Sequence, residues 1–98
     1  MEDIIKNSVL INKEDVINLK FPKEEVLTSS DEIKIRRMEL ERATTLGNAE
    51  HGKIKIFFHD DQGAKKVETT IWATTEKNIT IKGGMCIPIH RIYKVSIY

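Results

Sequence analysis

Lys53-Ile54-Lys55-Ile56-Phe57-Phe58-His59 alternates polar and apolar residues in the way a half-buried strand requires and a helix cannot satisfy. Ile54, Ile56 and Phe58 share one face, and Lys53, Lys55, Phe57 and His59 share the other. Asp60-Asp61-Gln62-Gly63 follows as a turn, with Gly63 available for a positive φ. Val67-Glu68-Thr69-Thr70-Ile71-Trp72-Ala73-Thr74 alternates again, with Val67, Thr69, Ile71 and Ala73 on one face and Glu68, Thr70 and Trp72 on the other. Glu76-Lys77-Asn78 turns the chain into Ile79-Thr80-Ile81-Lys82, and Gly83-Gly84 reads as a two-residue hairpin. Residues 85–87 form a further strand, ended by Pro88, which donates no ladder hydrogen bond. Ile89-His90-Arg91-Ile92 suits a single helical turn, and Tyr93-Lys94-Val95-Ser96-Ile97-Tyr98 is the last strand. Five short antiparallel strands joined by tight turns predict a small closed barrel over residues 53–98, because closure removes most of the sheet edges. On this reading Phe57 and Trp72 both point away from the main core.

Working upstream, Ser29-Ser30-Asp31-Glu32 places a serine three residues before a glutamate, the capping-box signature of a helix start. Ile33, Arg36/Arg37, Leu40, Ala43/Thr44 and Gly47 recur at helical spacing, with Ile35, Met38 and Leu46 along an adjoining strip, so one amphipathic helix precedes the barrel. Gly47-Asn48 is expected to stop it through a left-handed residue. The alternation Glu32-Ile33-Lys34-Ile35 leaves a second option, a short strand with the helix beginning near Arg36. Residues 1–28 read as an N-terminal arm. Ser8-Val9-Leu10-Ile11 has strand character, Lys13-Glu14-Asp15-Val16-Ile17-Asn18-Leu19 suits a short helix after Asn12, and Pro22 could start another turn. The arm is too apolar for a disordered tail, so either the domain formed by residues 29–98 or a second copy is expected to cover it.

A length of 98 residues supports one core, and a charged fraction of 32% beside a hydrophobic fraction of 40% is that of a soluble domain. No apolar run approaches the roughly 20 residues of a membrane helix. Met1-Glu2-Asp3-Ile4-Ile5-Lys6 opens with acidic residues and is not a secretory signal, so a cytoplasmic location is expected. Cys86, the one cysteine, has no internal partner and lies in the apolar run Met85-Cys86-Ile87-Pro88-Ile89, where a core thiol is the expectation. Residues 1–49 carry eight Lys/Arg and ten Asp/Glu, a net charge of −2, whereas residues 50–98 carry eight and five, a net of +3. The predicted barrel is therefore the basic half, permitting contact with a polyanion without requiring it.

Arg36-Arg37-Met38-Glu39-Leu40-Glu41-Arg42-Ala43, Leu46-Gly47-Asn48, Glu50-His51-Gly52-Lys53 and Ile87-Pro88-Ile89-His90-Arg91-Ile92 together resemble a group of short bacterial proteins of unassigned function, over roughly residues 36–95. A helix followed by five short strands is also similar in architecture to SH3-like and Sm-like barrels, including the Hfq and Rho-inhibitor types. That likeness implies a mainly β, five-stranded antiparallel SH3-like/Sm-like barrel, and relatives that bind RNA or assemble through strand edges. No Sm sequence motif maps onto this chain residue by residue, and fold alone does not imply function.

Chemistry-bearing residues are few. His51, His59, His90, Cys86, Asp60 and Asp61 are metal-ligand types without the paired spacing of a metal motif, so neither a metal nor another cofactor is expected. His59-Asp60-Asp61 reads instead as a solvated hairpin corner, and His51 as a backbone-bonded residue between helix and strand. Cys86 with His90 is the one nucleophile-and-base pair worth naming, and it ranks below the core-thiol reading. Gly83-Gly84 lacks the lysine and helix of a phosphate loop. Lys34, Arg36, Arg37 and Arg42 alternate with Glu32, Glu39 and Glu41, as on a solvated helix surface. Lys53, Lys55, Lys82 and Lys94 fall on outward strand positions together with Phe57 and Trp72, and basic groups interleaved with aromatics can neutralise phosphates while stacking bases. The competing and favoured reading buries Phe57 and Trp72 in a second small core beneath the helix or the arm. The sequence thus predicts a non-enzymatic small-barrel binding or assembly module, with a protein partner or self-association ahead of RNA. A structural homo-oligomer, or an enzyme using Cys86 and His90, is the alternative.

Overall fold

The computed structural model describes residues 2–50 and 52–97. The chain runs α1 (Glu2–Lys6), β1 (Val9–Ile11), a 3-10 turn (Lys13–Asn18), α2 (Ser30–Glu50), β2 (Ile54–His59), β3 (Ala64–Thr69), β4 (Ile71–Thr74), β5 (Asn78–Ile81), β6 (Cys86–Pro88), a second 3-10 turn (Ile89–Arg91) and β7 (Ile92–Ile97). Strands predominate alongside one long helix, as the periodicity requires. The barrel is where sequence and structure part. Among the described residues seven strands, not five, form two sheets ordered β1-β3-β2-β7 and β4-β5-β6, and they do not close into a barrel. One added strand is β1, which the arm lays parallel to β3 with Ile11 opposite Val67. The other arises because residues 67–74 do not run as one strand. The chain breaks at Thr70, so that β3 pairs with β2 and β4 pairs with β5. Thr70 serves the second sheet, its carbonyl accepting from the Lys82 N–H at 2.9 Å, while its hydroxyl donates to the Gly52 carbonyl at 3.0 Å.

Helix α2 starts where the cap predicts. The Ser29 hydroxyl accepts from the N–H groups of Asp31 (3.2 Å) and Glu32 (3.4 Å), satisfying donors that the first turn leaves unpaired. Arg36, Leu40, Ala43 and Gly47 form its buried stripe, while Ile35 and Met38 stay exposed. Gly47 does not stop the helix, which continues to Glu50. A Cβ at Gly47 would lie 2.7 Å from the Ile71 carbonyl oxygen and 2.9 Å from Thr70 Cγ2, so the glycine is there to let helix and strand backbones approach. Farther along the same contact, the Thr44 hydroxyl bonds the Leu40 carbonyl and the hydroxyl of Thr74. His51, read from sequence as a backbone-bonded connector, and Tyr98, the expected strand end, lie outside the described residues.

The main core gathers Ile54, Ile56 and Phe58 from β2 with Val67, Ile71, Ile79, Ile81, Ile87, Ile92 and Val95, and α2 contributes Leu40 and Ala43. The arm folds onto this body. Val16 enters the main core, and the Phe21 ring centroid lies 6.0 Å from that of Phe58. Leu27 joins Phe57 and Tyr93 in a second cluster, against which Ile5, Val26 and Ile33 pack. Among the described residues no helix is long and apolar enough to cross a membrane. Replacing Gly47 by Ala adds a methyl group where backbone stands and is expected to destabilise the fold by about 1–3 kcal/mol despite the better helix propensity of alanine. Urea unfolding measures this as a lower midpoint, and an unchanged or raised midpoint contradicts the close-approach account.

Candidate nucleic-acid interface

The structure separates the two aromatics that the sequence placed on one outward face. Phe57 is 6% exposed, sealed in the second cluster by Leu27 and Tyr93. Trp72 is 47% exposed. Its strand pairs Ile71 with Ile81 but Ala73 with Thr80, an irregularity that leaves Trp72 as the extra residue and turns both Trp72 and Ala73 to the surface. Neither a shared aromatic platform nor a shared second core therefore exists.

The lysines divide in the same way. Lys94 sits opposite Phe57 in register and is exposed, and Lys55 lies opposite Glu68 with its ammonium 3.8 Å from that carboxylate. Lys53 and Lys82 come together with Lys13 around a cleft of about 150 Å³, completed by Glu68, Thr69 and Thr70. Lys82 reaches it because the Gly84 N–H donates to the Ile81 carbonyl at 2.9 Å, which puts Lys82-Gly83, rather than Gly83-Gly84, at the hairpin corner. Gly83 and Gly84 both take positive φ, 99° and 92°. Lys13 belongs to the arm, which sequence periodicity could not bring near the sheets, and its ammonium also bonds the Glu14 carboxylate at 3.0 Å.

Cys86 is exposed, which corrects the core-thiol expectation. It pairs in register with Thr80, whose hydroxyl is 3.7 Å from its sulfur, while the next residue, Ile87, points into the core. His90 is turned elsewhere, its Nε2 3.0 Å from the Pro22 carbonyl oxygen. The two line different cavities, Cys86 one of about 400 Å³ with Val16 and Phe21, and His90 one of about 580 Å³ with Ile33 and Arg37. They do not form a nucleophile-and-base pair. Among the described residues no group of three His, Cys, Asp or Glu side chains is placed to hold a metal ion.

Arginines read from sequence as solvated helix charge do structural work. Arg36 is 5% exposed and grips Glu25 with two nitrogens, at 2.7 and 2.6 Å, while also donating to the Ile92 carbonyl at 3.0 Å. Arg37 donates to the carbonyls of Thr75 and Glu76, and Arg91, in the 3-10 turn before β7 and outside that helix reading, donates to those of Glu24 and His59. Asp60 is no solvated corner either: at 1% exposure its Oδ1 accepts from the N–H groups of Gln62 and Gly63 and from Lys65, all near 3.0 Å. Burial pushes both the Glu25 and Asp60 carboxyls up, but Arg36 with the Leu27 N–H, and Lys65 with the turn N–H groups, outweigh it and hold each below the usual carboxylate range.

Both acids bind a proton more weakly folded than unfolded. The stability they contribute is full above the ordinary carboxylate pKa and is lost as pH falls through the lower folded values. Glu25→Gln leaves Arg36 buried without its counter-charge and is expected to cost about 3 kcal/mol at neutral pH. Its acid-side stability profile becomes shallower than that of the wild type. Urea unfolding at a series of pH values reads both effects, and an identical slope contradicts the role given to Glu25.

Comparison with protein-family models, curated proteins and solved structures found no match.

Proposed function

We propose that the protein is a non-enzymatic binding module that takes single-stranded RNA across the outer face of β4-β5-β6, with Trp72 as a stacking surface and Lys53 and Lys82 neutralising phosphates. The observation that carries this reading is the position of Trp72, a large aromatic held at a bulge on the surface of the sheet whose hairpin also presents Lys82. Such a ring is sequence-tolerant because every base has a π-face, and stacking on it is worth about 1–3 kcal/mol per base. The net charge of +3 on residues 50–98 supports attraction of a polyanion. Strand order supports kinship with small SH3-like or Sm-like barrels in an open form: one strand bends at Thr70 to serve both sheets, and a 3-10 turn precedes a last strand that returns to β2. With its lone cysteine unpaired, the protein fits a reducing cytoplasm.

One observation favours a second reading, self-association through β1. Val9 and Leu10 are exposed on an edge strand whose sole strand neighbour among the described residues is β3, and an apolar edge of this kind is a template for pairing. The two readings separate experimentally. Trp72→Ala is expected to weaken binding of single-stranded RNA at low salt about tenfold while leaving the urea midpoint nearly unchanged. Phe57→Ala, by contrast, costs about 3–5 kcal/mol of stability. Wild-type protein that fails to bind RNA at low salt overturns the RNA reading. Leu10→Lys is expected to convert any sedimenting dimer to monomer, and a wild-type chain that stays monomeric at high concentration rules the edge reading out.

A further inference from the structure

The cleft beside β4 has features that general polyanion attraction does not use. It is lined by Lys13, Lys53, Lys82, Glu68, Thr69 and Thr70 and encloses about 150 Å³. That volume holds one phosphate group with a few waters, each water occupying about 30 Å³, and is small beside the roughly 300–1,000 Å³ of pockets that enclose a whole small molecule. Thr69 at its wall is 3% exposed and stands opposite the core residue Ile54, so its side chain turns to the core while the lysines ring the opening. Thr69 pairs with Ile54 on one side, while the β1 ladder ends at Ile11 opposite Val67, so on its other side the strand opens where β1 stops.

Charge sets the ligand class. Lys13, Lys53, Lys55 and Lys82 stand at or beside the cleft with Glu14 and Glu68, an excess of two positive charges. An internal phosphodiester carries one negative charge, whereas a phosphomonoester carries about 1.5 to 2 at neutral pH. Lys82 joins the cleft to the sheet that bears Trp72, so a strand whose end entered the cleft would continue toward the indole. We infer that the cleft is a phosphomonoester site that receives the terminal phosphate of the RNA strand laid on the Trp72 face, an inference that rests on the RNA reading above. Lys13, Lys53 and Lys82 hold the phosphate oxygens by charge.

Calorimetric titration with three oligoribonucleotides of one sequence, carrying a 5′-phosphate, a 3′-phosphate or no terminal phosphate, tests this directly. One of the phosphorylated strands is expected to bind about tenfold tighter than the unphosphorylated one, the effect of a single charge-assisted contact. Lys53→Gln and Lys82→Gln should each abolish that advantage, while Trp72→Ala weakens all three strands alike. Equal affinities for the three strands overturn the phosphomonoester site and leave the RNA reading standing. If no strand binds but inorganic phosphate shifts the amide resonances of Lys53, Thr69 and Lys82, the phosphate site stands and the RNA reading falls. If neither strand nor phosphate has an effect, both fall.

Discussion

Everything that distinguishes this fold follows from the close seating of α2 on the corner at Thr70. Gly47 lets the helix backbone come within contact of the Ile71 carbonyl, and the strand bends there out of the first sheet and into the second. A side chain at Gly47 would hold helix and strand apart. Because the corner carbonyl accepts from Lys82, the bend also carries the β5 to β6 hairpin toward the end of β3, where Lys53 stands. The same turn of the chain places Trp72 one position into β4, at a bulge, with its ring in solvent. A packing constraint between a helix and a strand thus assembles the candidate surface.

The arm is held to this body by guanidinium groups as much as by apolar contact. Arg36 reaches from α2 to Glu25 and Ile92, and Arg91 reaches from the last turn to Glu24 and His59, so residues 24 and 25 are tied down from two directions. A planar guanidinium suits both tasks, because its fork of donors matches a carboxylate and can still satisfy a carbonyl. The result closes the second cluster over Phe57 and brings the 3-10 turn with Lys13 alongside β3 and the β5 to β6 hairpin. Anchoring the arm therefore removes one aromatic from the surface and adds one lysine to the cleft.

Local patterns were legible where one element decides the outcome. Alternation identified Ile54, Ile56 and Phe58 as inward, Ser29 marked the helix start, and the stripe from Arg36 through Leu40 and Ala43 to Gly47 is the face that is buried. The bend at Thr70 was not legible, because residues 67–74 alternate without interruption and the chain changes sheets where Thr70 and Ile71 meet Gly47 of α2, a contact the local pattern does not carry. Alternation likewise placed Phe57 off the main core but could not say that Leu27 and Tyr93 would cover it. Arg36 carried a readable signal, a charge on the apolar stripe, as did Asp60 with Gly63 three residues on. Both signals are weak in a sequence because charged residues are usually solvated. Of the candidate surface, Trp72, Lys53 and Lys82 could be read from their strands. Lys13 and Thr69 could not, since their meeting depends on where the arm is laid and where its ladder ends.

The central claim is that the corner at Thr70 builds an RNA-binding face from Trp72 and the lysine cleft. Amide and indole resonances recorded during titration with single-stranded RNA at low salt test it most directly. The account predicts shifts confined to Trp72, including its indole N–H, and to Lys53, Thr69, Thr80 and Lys82, with the second cluster around Phe57 unmoved. Shifts that instead fall on Val9 to Ile11, or a spectrum that RNA leaves unchanged, would contradict it.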